Sequence, residues 1–164
     1  MLQQTTPSQY SIVSSHSFAE VREDAASLAK SLHSIISFSK GEIICEFGAA
    51  AILKSPTYLT VQTGAAEHIH LKPEFLKFTN HSCDPNVFFD TQSMQLIALK
   101  DIQPGDEFTF FYPSTEWDMA QPFECMCGAE CCLKNISGAI AMPVEILNRY
   151  KLTTFIKQQL AAKL

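Results

Sequence analysis

Four cysteines crowd into eight residues, Cys125, Cys127, Cys131 and Cys132, while two more stand apart at Cys45 and Cys83. A disulfide framework usually spreads its cysteines along a small secreted chain. Here they gather late in a chain of 164 residues. The stretch Met1 to Val13 is polar, with no basic start and no apolar run, so no signal peptide is read there. The thiols are therefore expected to be reduced and available for metal. Tetrahedral zinc needs four ligands, at ~2.3 Å from each sulfur. Cys125 and Cys127 with either Cys131 or Cys132 make three, and the fourth must come from elsewhere. Cys45, in an apolar strand, reads as a small buried hydrophobe.

Length predicts one domain. An apolar fraction of 46% with 18% charged residues rules out a disordered or fibrous chain. The net charge of −5 argues against a nucleic-acid partner and suits a basic peptide or a small molecule. The longest apolar run, Ala49 to Leu53, falls far short of the ~20 residues of a membrane span. The chain thus reads as intracellular, in nucleus or cytoplasm. None of its six glycines precedes Gly41, which excludes a glycine-rich phosphate or cofactor loop in the first forty residues.

The pattern predicts many short strands, then a helical tail. Tyr10–Val13, Glu42–Phe47, Tyr58–Gln62, His68–Leu71, Val87–Asp90, Met94–Leu99 and Glu107–Tyr112 are β-branched or aromatic and bounded by turn residues. Ala25–Leu32 reads as a helix on propensity, and Pro73–Phe78 as one helical turn. After Pro143 the period changes. Val144 and Leu147 share a helical face, and a second helix begins near Thr153 or Thr154, with Phe155, Ile156, Leu160 and Leu164 apolar.

Three local motifs carry the chemistry. They are Asn80-His-Ser-Cys-Asp-Pro-Asn86, Gly105-Asp-Glu-Phe-Thr-Phe-Phe-Tyr112, and Cys125-Met-Cys127 followed by Cys132. In this order they resemble the SET-domain protein lysine methyltransferases, over roughly Leu28 to Cys132. The longer run Phe110 to Asp118 also occurs in several SET-like proteins. The resemblance implies a mostly β fold of several small sheets around a knot-like crossing. It further implies a post-SET zinc motif and a C-terminal helical segment. The expected limits are 1–122 for the SET-like domain (core about 28–112), 123–138 for the zinc motif, and 139–164 for a helical extension packed on the same domain.

The resemblance also implies roles. Cys83 joins Cys125, Cys127 and Cys132 as zinc ligand, the family spacing selecting Cys132. Tyr112 matches the catalytic tyrosine, and Phe110 the position that leaves room for a methylated amine. Asn80 and His81 match contacts to S-adenosylmethionine. Tyr58, Leu32 and Phe123 are further candidates for the cofactor or lysine channel, and Leu133 for covering adenine. Ser82 and Asn86 are expected to shape the loop. His16, His68 and His70 have no ligand spacing with the cysteines.

The attacking amine must be neutral, which for a lysine of pKa ~10.4 costs about 4–5 kcal/mol at pH 7. An apolar, aromatic channel favours the neutral form by desolvation. One family feature is missing. Ala29-Lys30-Ser31 stands where the family has Gly-x-Gly, and side chains there can crowd the cofactor or forbid a positive φ. Two functions follow. One is methyl transfer from S-adenosylmethionine to a protein lysine. The other is a SET fold that has lost methyl transfer and binds a peptide or small molecule, or runs another reaction in the same cavity.

Overall fold

The computed structural model describes residues 9–163. Met1–Ser8 and Leu164 lie outside the described residues, and with them most of the polar N-terminal stretch and the last apolar position read for the tail.

Among the described residues, five small sheets carry the fold. The first is antiparallel, from β1 (Tyr10–Ser15), β2 (Ala19–Asp24) and β3 (Lys30–Ser34). Ala19, Val21 and Leu32 are wholly buried, with Val21 and Leu32 directly opposite in register. The helix expected over Ala25–Leu32 is absent. Asp24 Oδ1 accepts the Ala26 and Ser27 N–H groups and the Ser27 hydroxyl, closing a turn instead. Leu28 follows with φ +60°, and the chain reverses into β3. Turn chemistry at one aspartate, with cross-strand burial of Leu32, overrides a weak helix propensity.

A second sheet has the order β4 (Ile43–Glu46), β10 (Gln95–Ala98), β9 (Val87–Asp90). A third is β5 (Gly48–Leu53), β7 (Glu67–Lys72), β6 (Thr60–Gly64). Thus β6 starts after Tyr58, which sits in the preceding loop. β5 has no sequence signal because Gly-Ala-Ala-Ala lacks the β-branched residues that mark strands. Pro73–Phe78 does form a short 3-10 turn, Glu74–Phe78, ending just before Asn80.

β8 (Asn80–His81) pairs in parallel with β11 (Thr109–Phe110), bringing the Asn80 loop beside the strand that leads to Tyr112. Asn86 locks the crossing. Its Nδ2 donates to Glu107 O at 2.8 Å, and its Oδ1 accepts Thr109 N–H at 2.9 Å. The last pair is β12 (Phe123–Glu124) with β13 (Asn135–Ile136), followed by α1 (Val144–Leu147) and α2 (Thr154–Lys163).

The described residues form two cores. The larger buries Leu32, Phe89, Leu96, Ile102 and Phe108 under the first three sheets. The smaller gathers Phe111, Ile136, Leu147 and Ile156 with Cys83 and Cys125. The C-terminal helices thus bury Leu147 and Ile156 in the same core as the cysteine-bearing segments, while Val144 stays exposed. Leu147 is fully buried, so truncation to Ala costs about 2–5 kcal/mol. None of the helices described is long and apolar enough to cross a membrane.

Candidate active site and metal cluster

The Sγ atoms of Cys83, Cys125, Cys127 and Cys132 all lie within 4.8 Å of one another. Cys83 and Cys125 are 3.9 Å apart, close to the ~3.8 Å that four sulfurs at 2.3 Å from a tetrahedral zinc would show. Cys131 is outside the group. It is exposed, and its thiol donates to the Cys83 carbonyl at 3.2 Å. Gly128, at φ +73°, turns the chain between Cys127 and Cys132.

Electrostatics fit a cation here. Burial pushes the Cys83 thiol up, and burial likewise raises Cys125 to about 11. For Cys127, burial opposes ionisation, but N–H groups of Cys83 and Ala129 and the neighbouring thiols outweigh it, lowering the thiol to about 6. A dication lets all these thiols ionise. This donor set could hold zinc. Tyr150 braces it from outside. Its ring stacks on Phe111 at 3.6 Å and 6°, and its hydroxyl donates to Cys83 O at 2.8 Å.

Beside the cluster lies a cavity of about 330 Å³, walled by residues that include Leu71, Leu76, Phe110, Tyr112 and Phe123. The segments 57–59 and 119–122 supply much of this wall, and β6 and two 3-10 turns add Thr60, Val61, Leu76, Lys77 and Tyr112. Tyr112 opens the short turn Tyr112–Ser114, which begins where the Pro at its second position ends β11. Its hydroxyl points to the Thr79 carbonyl at 3.5 Å. Burial, reinforced by Glu107 and Glu116, raises its pKa to about 12, so the phenol stays protonated. The Phe110 ring lies 4.7 Å from that of Tyr112 and is fixed edge-on by Phe89 at 4.8 Å.

His81 packs behind both aromatic walls, 5.2 Å from the Tyr112 ring and 5.6 Å from Phe123. Tyr112 N–H donates to its Nδ1 at 3.2 Å, so the neutral ring carries its proton on Nε2, 3.4 Å from Cys83 Sγ. Burial depresses His81 to about 4, which keeps it neutral. His81 thereby joins the cavity to the cysteine cluster. Asn80 reaches the other way. Its Nδ2 donates to Lys30 O and to Glu107 Oε1, both at 3.0 Å. That ties the loop to the segment standing where glycines were expected. No residue from 29 to 31 has a positive φ, so the backbone there needs no glycine.

The expected residues separate into groups. Phe110, Tyr112 and Phe123 share the cavity, with Tyr58 at its rim, 74% exposed. Asn80 and His81 lie outside its lining. Leu32 is wholly buried in the larger core, so its side chain offers no surface to a cofactor. Its carbonyl instead accepts Phe108 N–H. Leu133 packs in the smaller core and donates its N–H to Cys83 Sγ at 3.4 Å. Ser82 bonds within the loop, accepting Asp84 N–H, while Asn86 ties the loop to Glu107 and Thr109.

Sequence reasoning missed Glu116, the acidic group in the cavity wall, and Gln62 beneath it. Glu116 is 7% exposed. Its Oε1 accepts Gln62 N–H and the Thr115 hydroxyl, each at 2.9 Å. Burial raises its pKa to about 7. The available signal was a carboxylate, Glu116, four residues after Tyr112 inside the run Phe110–Asp118.

Residues 31–113 match the SET domain family. The chain belongs to that family. It is 38% identical over 146 residues to "Methyltransferase flvH" of Aspergillus flavus, spanning 88% of this chain and 82% of that protein. It is 34% identical over 83 residues to a histone-lysine N-methyltransferase, H3 lysine-36 specific, of Debaryomyces hansenii, which spans 47% of this chain and only 11% of that protein. Among solved structures, the methyltransferase domain of human histone-lysine N-methyltransferase SETMAR aligns with a TM-score of 0.48 and 19% identity, over 66% of this chain and 54% of that one. The match thus includes β3 from Ser31 onward, the Asn80 crossing with Cys83, and Tyr112 of this SET domain, and stops before Cys125, Cys127 and Cys132.

Proposed function

We propose that this SET domain transfers a methyl group from S-adenosylmethionine to the side-chain amine of a protein lysine. The single observation that carries this reading is the cavity that Tyr112 lines together with Phe110, Leu71, Leu76 and Phe123. When bound, S-adenosylmethionine supplies a methyl already activated on a sulfonium. The protein's task is then to position and desolvate the amine. Apolar walls favour the neutral amine. Tyr112, held protonated, can donate a hydrogen bond, and the Thr79 carbonyl beside it can accept one. Phe110 keeps a hydroxyl out of the space that a methylated amine would fill. Asn80, with its Oδ1 still open, and the His81 backbone are the groups proposed to hold the cofactor.

Zinc at Cys83, Cys125, Cys127 and Cys132 is assigned a structural role: four thiolates close the coordination shell. It would fasten Phe123 over Tyr112 and His81. A protein-lysine methyltransferase of this kind would act in nucleus or cytoplasm. Calorimetry with S-adenosylmethionine on zinc-loaded protein tests the cofactor assignment. Binding abolished by Asn80→Ala supports it, and no heat up to millimolar cofactor rejects it.

A further inference from the structure

The cavity wall contains one acidic side chain that the reading above does not use. Glu116 is more than nine-tenths buried, yet both of its hydrogen bonds fall on Oε1. Oε2 has no partner among the described residues, and it is not among their solvent-sealed orphan atoms. It therefore has surface, and the cavity is what Glu116 lines. None of the ion pairs among the described residues includes Glu116. The fold holds this carboxylate firmly. Its N–H and that of Thr115 both donate to Tyr112 O, fixing Glu116 one turn beyond Tyr112. Trp117 N–H donates to Gln62 Oε1 at 2.8 Å, bracing the next residue on β6.

A buried carboxylate without a cation is costly unless something completes it. The remaining wall is largely apolar and aromatic. An apolar slot with one unpaired carboxylate has the complement of a primary alkylammonium.

We propose that Glu116 Oε2 receives the target amine as its ammonium form and takes a proton from it. This rests on the methyl-transfer reading and assigns the proton acceptor of that same site. The N–H bond of the ammonium breaks and an O–H bond forms on Oε2. The nitrogen keeps the electron pair. That pair forms the new N–CH₃ bond as the methyl–sulfur bond of the sulfonium donor breaks, its electrons leaving on sulfur as the thioether. The products are an N-methylammonium, a neutral carboxyl and a thioether. In a dry cavity, the neutral amine and neutral acid are favoured over the ion pair, because burial disfavours both charges.

Other titratable groups facing Glu116 do not replace it. Tyr112 stays protonated. Lys77, on the 3-10 turn lining the cavity, is paired with Glu74 at 2.6 Å. On β7, His68 lies opposite Gln62, and burial lowers its pKa. Glu107 acts on Tyr112 and is bonded to Asn80.

The test uses the full chain and two small probes, n-butylamine and its uncharged counterpart n-butanol, titrated by proton NMR from pH 6 to 10. Wild type should bind n-butylamine roughly ten- to a hundredfold more tightly than n-butanol near pH 8.5, the range expected of a hydrogen bond to a charged group. The preference should grow as pH rises through about 7 and fade as the amine loses its proton near ~10.4. Glu116→Gln should abolish both the preference and its pH dependence. An acetylated lysyl tripeptide and n-butylamine, competed against each other, separate a protein lysine from a free alkylamine as the source; tighter binding of either fits the proposal. Equal affinity of wild type for amine and alcohol overturns it, whether or not Glu116→Gln folds. Amine preference in a protein that methylates nothing would leave the cation site standing and remove the methyl-transfer reading. Methylation without amine preference would do the reverse.

Discussion

Cys83→Ser should uncouple the C-terminal third from the rest of the protein, by an amount that follows from the loop the cluster closes. Cys83 lies 42 residues before Cys125, and their sulfurs meet at 3.9 Å. Cross-linking a loop of that length restricts the unfolded chain by about 4 kcal/mol on the chain-entropy formula. Each kcal/mol moves the melting midpoint of a domain this size by about 2–4 °C. Loss of metal should therefore lower the midpoint by about 8–16 °C. The assay is a thermal melt of reduced protein with and without a strong chelator, alongside elemental analysis. Wild type should carry about one zinc and lose that interval on chelation, as a structural site requires. Cys83→Ser should start from the lower midpoint and ignore the chelator. Cys131→Ser should behave like wild type, because its sulfur lies outside the cluster. Less than ~0.2 zinc per chain, or a chelator response intact in Cys83→Ser, would refute the reasoning.

Other outcomes are equally specific. Tyr112→Phe should lower methyl transfer about 10²-fold or more with the melting midpoint little changed, as the loss of one aimed hydroxyl would, whereas Phe110→Tyr should shift product toward monomethylation, both read by mass spectrometry. Gly138→Ala should destabilise by about 1–3 kcal/mol in a denaturant melt, as overpacking does, because a Cβ there meets the backbone of Trp117, Asp118 and Met119. Glu116 binds its proton up to about pH 7 when folded but only to about 4.5 when unfolded, so its burial becomes a cost as pH rises through that window. Glu116→Gln should thus gain up to about 3 kcal/mol over wild type at pH 8 and little at pH 5, read as the difference between their unfolding free energies.

The parts of the fold that were legible are those whose residues act as a local unit. Val87–Asp90 and His68–Leu71 alternate or cluster β-branched and aromatic residues, and both are strands. The motif around Asn80 and the one ending at Tyr112 lie side by side because β8 and β11 pair, a contact across 29 residues that the family resemblance anticipated and periodicity alone did not. Strand β3 was hidden by the helix-like composition of Ala25–Leu32, because the deciding interactions, three hydrogen bonds to one Asp24 oxygen, depend on a turn. At the site, the cysteine spacing left Cys131 and Cys132 open. The family resemblance selected Cys132, and in the structure its sulfur joins the cluster while that of Cys131 stays outside. Glu116 was invisible for a different reason. Whether a carboxylate is solvated or sealed into a cavity depends on what packs above it, and Gln62 comes from 54 residues upstream.

The central claim is methyl transfer at Tyr112, and product formation tests it most directly. Zinc-loaded protein should be incubated with S-adenosylmethionine carrying a trideuterated methyl, together with purified histones and a reduced cell extract. The products are then read by mass spectrometry. Trideuterated methyl is expected on lysine amines, lost in Tyr112→Phe and reduced in Glu116→Gln. Label that never appears on an amine, or that appears equally with folded Tyr112→Phe, would contradict it.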